Sequence, residues 1–121
     1  MTMPQVNAAE IQQMPQGAGQ DVVSAARLDV ENNLNPLYGL RNEAFYQMLI
    51  SFAVDLRSML ADAPDLRHQV SLDLEERAKF GEKKYGTRLK TNNGRNTILD
   101  LYQEILDAIN YTKQGLLEGK L

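Results

Sequence analysis

Three carboxylates and a tyrosine recur at helical spacing near the C-terminus. They follow one another at intervals of four, three and four residues: Asp100, Glu104, Asp107 and Tyr111. Side chains at these intervals share one face of a helix. Glu104 and Asp107 can both reach one Mg²⁺, because this cation prefers carboxylate oxygens. The alternative is a solvated acidic ridge, in which Asp100 serves only the start of the helix.

A second acidic pair lies in the middle of the chain. Asp73 and Glu76 are also three residues apart, and Glu75 lies between them. With Glu104 and Asp107 they would make a four-carboxylate metal site, provided that both pairs turn toward each other inside a bundle. The alternative is again structural, with Asp73 as the N-cap of a helix and Glu76 completing a capping box.

Basic residues concentrate between the two acidic pairs. Seven of the 13 lysines and arginines fall within residues 77–95, where Glu82 is the one acid. A metal that bridges phosphate oxygens, with basic side chains that neutralise the remaining charge, is what a polyphosphate substrate requires. Lys84, Tyr85 and Arg95 are therefore the candidate substrate-binding residues. A solvated loop or a nucleic-acid contact are the alternatives. The glycine-rich phosphate-binding motifs are missing from the sequence.

The composition narrows the function classes. The chain of 121 residues has a formal net charge of −3, so we do not expect a nucleic-acid partner. It contains no cysteine, which excludes disulfides, thiolate zinc sites and cysteine nucleophiles. The single histidine, His68, is expected on the surface. Any metal should therefore be a hard cation bound by carboxylates, and Mg²⁺ is the expected cofactor.

No apolar run approaches the roughly 18 residues that a membrane span requires, and we find no secretory signal pattern. We therefore expect a cytoplasmic protein with no membrane partner.

The hydrophobic pattern predicts an all-α fold. We expect helices over residues 42–61, 72–85 and 97–117 and a weaker one over 21–33. They should form a bundle of three to four antiparallel helices in a single domain, 21–121. Residues 1–20, rich in glutamine, proline and glycine, are predicted to be a flexible arm.

Details at the helix ends can also be predicted. Thr97 and Asp100 approximate a capping box at the start of the last helix, and Gly86 is a suitable stop for the third. Helices of this length bury a modest core, and the apolar side chains on two sides of the second helix need cover. We therefore expect a homo-oligomer.

Three segments resemble small bacteriophage proteins related to the MazG-like all-α nucleoside triphosphate pyrophosphohydrolases. These are the run from Glu82 to Leu89 (EKKYGTRL), the run from Asn93 to Asn96 (NGRN) and the run from Asp100 to Tyr111 (DLYQEILDAINY). The resemblance covers about residues 72–118 and implies a helical bundle, usually oligomeric. That family pairs an E-x-x-E motif with an E-x-x-D motif to bind the metal.

The resemblance maps onto four residues here. Glu104 to Asp107 matches the second motif, and Asp73 to Glu76 would be the first, with aspartate in place of the first glutamate. Glu75 could substitute for Asp73. The implied activity is Mg²⁺-dependent cleavage of a nucleotide to its monophosphate and pyrophosphate in the host-cell cytoplasm, with Glu76 and Glu104 catalytic. A second hypothesis is a non-enzymatic phage module that binds a host protein or sequesters a nucleotide. A third is a nucleic-acid-binding accessory protein.

Overall fold

A computed structural model of the chain describes residues 17, 19–33 and 43–121. These residues include four α-helices, with no strand among them: α1 (Val22–Glu31), α2 (Glu43–Leu60), α3 (Leu66–Tyr85) and α4 (Thr97–Leu117). The all-α prediction is confirmed. The predicted N-terminal arm lies almost entirely outside the described residues.

The helix starts follow local capping chemistry, and one differs from the prediction. The α3 helix begins at Leu66 rather than Leu72, because the Asp65 carboxylate accepts a hydrogen bond from the backbone N–H of His68. The preceding Pro64 prevents helix α2 from continuing but does not prevent a new helix from starting. Asp73 therefore lies well inside α3, and its predicted N-cap function is wrong.

The start of α4 is also capped differently from the prediction. Asn96 is the N-cap, and its side-chain oxygen accepts from the N–H of Leu99 at 3.1 Å. Thr97 is then the first helical residue, so the predicted capping box of Thr97 and Asp100 is wrong by one residue. Gly86 ends α3 as predicted, in the left-handed conformation with φ +78°.

Helices α2 and α3 pack together in one compact unit. Only five residues, 61–65, connect them, so the chain reverses and forms a helical hairpin. The Arg57 guanidinium reaches across from α2 to Asp73 on α3, with 2.9 Å between Nε and Oδ2. Together with Ala26 of α1, Arg57 is one of the two buried residues in the described part of the chain.

Helices α1 and α4 pack together in a second compact unit, although the whole hairpin separates them in sequence. Ala26 is the most buried residue of this pair, with 3% of its surface exposed. Lys113 of α4 binds Asp29 of α1, with 2.8 Å between Nζ and Oδ2. The prediction of a single domain over 21–121 stays a prediction.

No helix in the described ranges has the length and apolar character to cross a membrane.

Candidate functional site

The acidic face of α4 consists of Asp100, Glu104 and Asp107, and the first of these carboxylates forms an ion pair. Both Asp100 oxygens accept from the Arg95 guanidinium, from Nε and from Nη2, at 2.9 Å each. These hydrogen bonds and the positive charge of Arg95 hold the pKa of Asp100 below its usual value. Arg95 is thus fixed at the N-terminal end of the acidic face, on the loop that leads into α4.

The next two carboxylates on this face, Glu104 and Asp107, are exposed. In the described part of the chain, neither takes part in a side-chain hydrogen bond or an ion pair. They lie one helical turn apart on the side where Arg95 is held, and Tyr111 follows one turn later. This face therefore presents two open carboxylates beside an anchored guanidinium.

The carboxylate pair suits a magnesium ion that arrives with its ligand. Mg²⁺ commonly binds one or two protein carboxylates and completes its octahedral shell with water and phosphate oxygens. Among the described residues, no group of three or more histidine, aspartate or glutamate side chains could by itself hold a metal ion. Glu104 and Asp107 thus fit a metal–phosphate complex better than a metal bound by protein ligands alone.

The acidic pair of Asp73 and Glu76 has a different environment. Asp73 is mostly buried, since only 14% of its side chain is exposed, and both of its oxygens have partners. Oδ2 accepts from Arg57 Nε, and Oδ1 accepts from Gln69 Nε2 at 3.1 Å. Glu76 is half-buried, with no side-chain partner in the described part of the chain. A metal at Asp73 would therefore compete with Arg57 and Gln69 for the carboxylate oxygens, whereas Glu76 keeps its carboxylate open.

Glu75, the possible substitute for Asp73, is also engaged. The Arg88 guanidinium donates two parallel hydrogen bonds to its carboxylate, at 2.8 and 2.9 Å. These two hydrogen bonds lower the pKa of Glu75 and raise that of Arg88. The interaction connects the loop after α3 to the middle of that helix, so Glu75 stabilises the basic segment.

The other two predicted substrate-binding residues lie at the end of α3. The Lys84 ammonium group lies 5.2 Å from the centroid of the Tyr85 ring, which is a cation–π distance. Tyr85 is 71% exposed, so one face of its ring is open to a planar ligand. Lys84 and Tyr85 belong to the α2–α3 unit, and Arg95 belongs to the α1–α4 unit.

Sequence reasoning missed Arg57. Arg57 is a charged residue among the apolar side chains of α2. A charge at such a position is the signal that could have predicted a buried ion pair. Its Nη1 also donates to the carbonyl oxygen of Ala61 at 3.2 Å, so one guanidinium binds both α3 and the end of α2. A shallow apolar groove lies beside it, lined by Ala53, Leu56, Leu60, Val70 and Leu74.

No protein-family model matches the chain, and comparisons with curated proteins and with solved structures found no match.

Proposed function

We propose that the protein is an Mg²⁺-dependent nucleotide pyrophosphohydrolase. The observation that supports this proposal is the pair of open carboxylates on α4, Glu104 and Asp107, on the face where Arg95 is anchored. Carboxylates for a metal and a nearby cation for phosphate oxygens are the components that phosphoanhydride cleavage requires.

The proposal assigns a chemical function to each of these residues. Glu104 and Asp107 would hold a magnesium ion, which would supply positive charge for the phosphate oxygens. Glu104 orients the attacking water and accepts its proton. The catalytic function that the sequence suggests for Glu76, a residue of the α2–α3 unit, stays a prediction. Water attacks the α-phosphorus, and the bond between this phosphorus and the oxygen that bridges it to the β-phosphorus breaks. Pyrophosphate leaves, and a nucleoside monophosphate remains. Asp73 is the fourth proposed ligand, although its contact with Arg57 favours a structural function.

Lys84, Tyr85 and Arg95 bind the substrate in this proposal. Within the α2–α3 unit, Tyr85 offers a ring for stacking on a base, beside the positive charge of Lys84. Within the α1–α4 unit, Arg95 offers positive charge for phosphate oxygens. The wider proposal places the protein in the cytoplasm of a phage-infected host, as a homo-oligomer.

The test measures pyrophosphate release from a panel of ribo- and deoxynucleoside triphosphates in Mg²⁺. We expect pyrophosphate and monophosphate in equal amounts from the parent protein. Asp107→Asn and Glu104→Gln should abolish this release while leaving the helical circular dichroism unchanged. Release of inorganic phosphate in place of pyrophosphate would contradict the assigned bond cleavage.

A matched control is available on α2. Asp55 is an exposed carboxylate without a side-chain partner in the described residues, so Asp55→Asn removes the same charge away from the proposed site. This variant should keep the parent activity. Equal loss of activity in Asp55→Asn and Asp107→Asn would mean that net charge, rather than a site on α4, controls the reaction.

A non-enzymatic module is the second candidate function. The engagement of Asp73 by Arg57 leaves fewer open carboxylates than the four-ligand hypothesis requires, which favours capture of a nucleotide without cleavage. Binding of an Mg²⁺–nucleotide complex without any product, detected by calorimetry, would select this function over the enzyme. Such a module could also bind a host protein.

A further inference from the structure

The loop before α4 contains a dipeptide that can react with itself. Of the nine asparagines in the chain, Asn93 is the one that a glycine follows. In such a dipeptide the backbone nitrogen of the glycine can attack the side-chain carbonyl carbon of the asparagine, because glycine has no Cβ atom to crowd the approach. Asparagine is among the thermolabile residues of proteins. The sequence of this loop therefore directs attention to the side chain of Asn93.

The loop geometry brings the two reacting atoms together. Asn93 Oδ1 accepts a hydrogen bond from the backbone N–H of Arg95, with 3.0 Å between the two atoms. The tight ring that this hydrogen bond closes contains both Cγ of Asn93 and the backbone nitrogen of Gly94. The same N–H polarises the side-chain carbonyl group and stabilises the negative charge that forms on Oδ1 during the attack.

The reacting groups are also open to water. Asn93 and Gly94 are both exposed, and a methyl group at Gly94 would contact nothing within 4 Å beyond the adjacent residues. Gly94 has φ +80°, a conformation that favours glycine over residues with a side chain. The Asn93 amide nitrogen, which is the leaving group, has no hydrogen-bond partner in the described part of the chain. Water can therefore enter this loop, and ammonia can leave it.

Asn96 provides a comparison within the same loop. It is also exposed, but its side chain is the N-cap of α4 and accepts from the N–H of Leu99 at 3.1 Å. The residue that follows it is Thr97, whose β-branched side chain crowds the backbone nitrogen that would have to attack. The structure thus distinguishes one reactive asparagine from a neighbour with a structural function.

We propose that Asn93 is a self-modification site, at which the folded protein converts a side-chain amide into a carboxylate beside Arg95. The nitrogen of Gly94 attacks Cγ of Asn93 and loses its proton. The bond between Cγ and the amide nitrogen then breaks, and ammonia leaves with that proton, so that a cyclic imide remains. Water opens either carbonyl–nitrogen bond of the imide. One product is aspartate with the original backbone, and the other is isoaspartate, in which the backbone runs through the side chain.

The modification changes the charge of the basic segment. Residues 77–95 contain seven lysines and arginines and one acid, so a carboxylate at residue 93 is the second acid of this segment. It lies two residues before Arg95, whose guanidinium binds Asp100, and it competes with Asp100 for this cation. Isoaspartate also lengthens the backbone just before the N-cap of α4. The site therefore acts on the anchored guanidinium, whether or not the protein hydrolyses nucleotides.

Mass spectrometry of the full chain after incubation at neutral pH tests the proposal. Trypsin cleaves after Lys90 and Arg95, so the site lies in the short peptide of residues 91–95. We expect this peptide to gain the mass difference between O and NH, with one ammonia released for each conversion. The rate should rise with pH, because the attacking nitrogen must lose its proton, while Asn96 should keep its amide. An isoaspartyl methyltransferase then distinguishes isoaspartate from aspartate.

Two comparisons make this experiment decisive. Asn93→Gln keeps the amide but enlarges the ring that the attack must close, so this variant should not be converted. It also reveals any conversion of Asn92, which lies in the same tryptic peptide. A synthetic peptide of residues 89–97 supplies the unfolded reference, and we expect the folded protein to lose the amide at least as fast as this peptide does. Slower loss in the folded protein would overturn the proposal, as would conversion of Asn93→Gln at the parent rate.

The effect on Arg95 has its own test. Asn93→Asp introduces the carboxylate directly, without the incubation. The pKa of Asp100 should be higher in this variant than in the parent, because two carboxylates then share one guanidinium. Carbon-13 NMR titration measures the difference, with Asn93→Gln as the uncharged control. An Asp100 pKa that is equal in the two variants would overturn the proposed competition.

Discussion

At the scale of single residues, Arg57 has the largest structural effect that the described contacts indicate. Its side chain is 9% exposed and that of Asp73 is 14% exposed, so both charges are largely withdrawn from water. An ion pair in this setting contributes little compared with an apolar pair of the same shape, but removing one partner leaves an uncompensated charge. The contact between α2 and α3 is therefore sensitive to the loss of either partner.

Substitution of Arg57 should consequently be costly. We expect Arg57→Ala to lower the free energy of unfolding by about 3 kcal/mol, because Asp73 and the Ala61 carbonyl both lose their donor. Urea denaturation measures this difference. The double variant Arg57→Met with Asp73→Leu should recover most of the loss, since it leaves no buried charge. A change below about 0.5 kcal/mol in Arg57→Ala would show that the pair is solvated.

Two carboxylates, Asp100 and Glu75, should titrate below their usual pKa values. Hydrogen bonds from Arg95 lower the pKa of Asp100, and those from Arg88 lower the pKa of Glu75. A carboxylate whose pKa is lower in the folded state stabilises the fold above its unfolded pKa, and loses that contribution as the pH falls through the folded value. The contribution of both residues should therefore begin to decrease near the usual carboxyl pKa, at about pH 4, and should be lost as the pH falls further through the lowered folded values.

Carbon-13 NMR titration of the side-chain carboxyl groups measures both values directly. Arg95→Gln should return the Asp100 midpoint to its usual value and leave Glu75 unchanged, and Arg88→Gln should do the reverse. Midpoints that do not respond to these substitutions would contradict the assigned ion pairs.

The ion pairs of Asp73 and Asp100 could not be predicted from spacing alone. The interval of three residues places two acids on one helix face, which holds for Glu104 and Asp107. It does not reveal what faces them from another element. The partner of Asp73 comes from α2, and its position depends on how two helices pack, which local sequence does not determine.

At the scale of helices and loops, the N-cap of α4 can be tested by substitution. The two candidates are Asn96 and Thr97. The structure makes Asn96 the N-cap, and an N-cap replaced by alanine costs about 1 kcal/mol. We therefore expect Asn96→Ala to lower the free energy of unfolding by about that amount, whereas Thr97→Ala should change it by a few tenths of a kcal/mol. Thermal unfolding of the two variants gives the comparison. A larger loss in Thr97→Ala would restore the capping box that the sequence predicts.

Most helix limits could be predicted, and the exception has a physical reason. The predicted range 97–117 coincides with α4, and the predicted end of the second helix, residue 61, lies one residue beyond the end of α2, because both helices have long apolar periodicity with clear stop signals. The predicted start of α3, residue 72, lies six residues after the observed start at Leu66. Pro64 and Asp65 resemble a turn, but the same residues can end one helix and cap the next, and only the backbone conformation at Asp65 decides between these.

At the scale of the whole molecule, the sequence predicts only one of the two helix pairings. The packing of α2 on α3 follows from their short connection. The packing of α1 on α4 joins helices separated by the entire hairpin, and loop length gives no indication of it. The apolar periodicity of α4 indicates that one side must be covered, without identifying which element covers it.

The response of stability to magnesium tests the metal site at this scale. A ligand that binds only the folded protein stabilises it by mass action, by roughly 1.4 kcal/mol at a free concentration ten times its Kd. If Glu104 and Asp107 bind Mg²⁺, the Tm of the parent should rise when Mg²⁺ replaces a chelator, and that of Asp107→Ala should not. In chelator the variant should be at least as stable as the parent, because removal of one carboxylate relieves the repulsion from its neighbours.

A solvated acidic ridge has different consequences in the same experiment. Parent and variant would then respond to Mg²⁺ equally, since the ion would act on the general charge of the protein, and this result would contradict the metal site. Asp55→Asn serves as the charge-matched control and should respond as the parent does. If the magnesium response requires Asp107 but no nucleotide is cleaved, the carboxylate pair is a metal-binding site without hydrolytic activity. The binding-module function then replaces the enzyme.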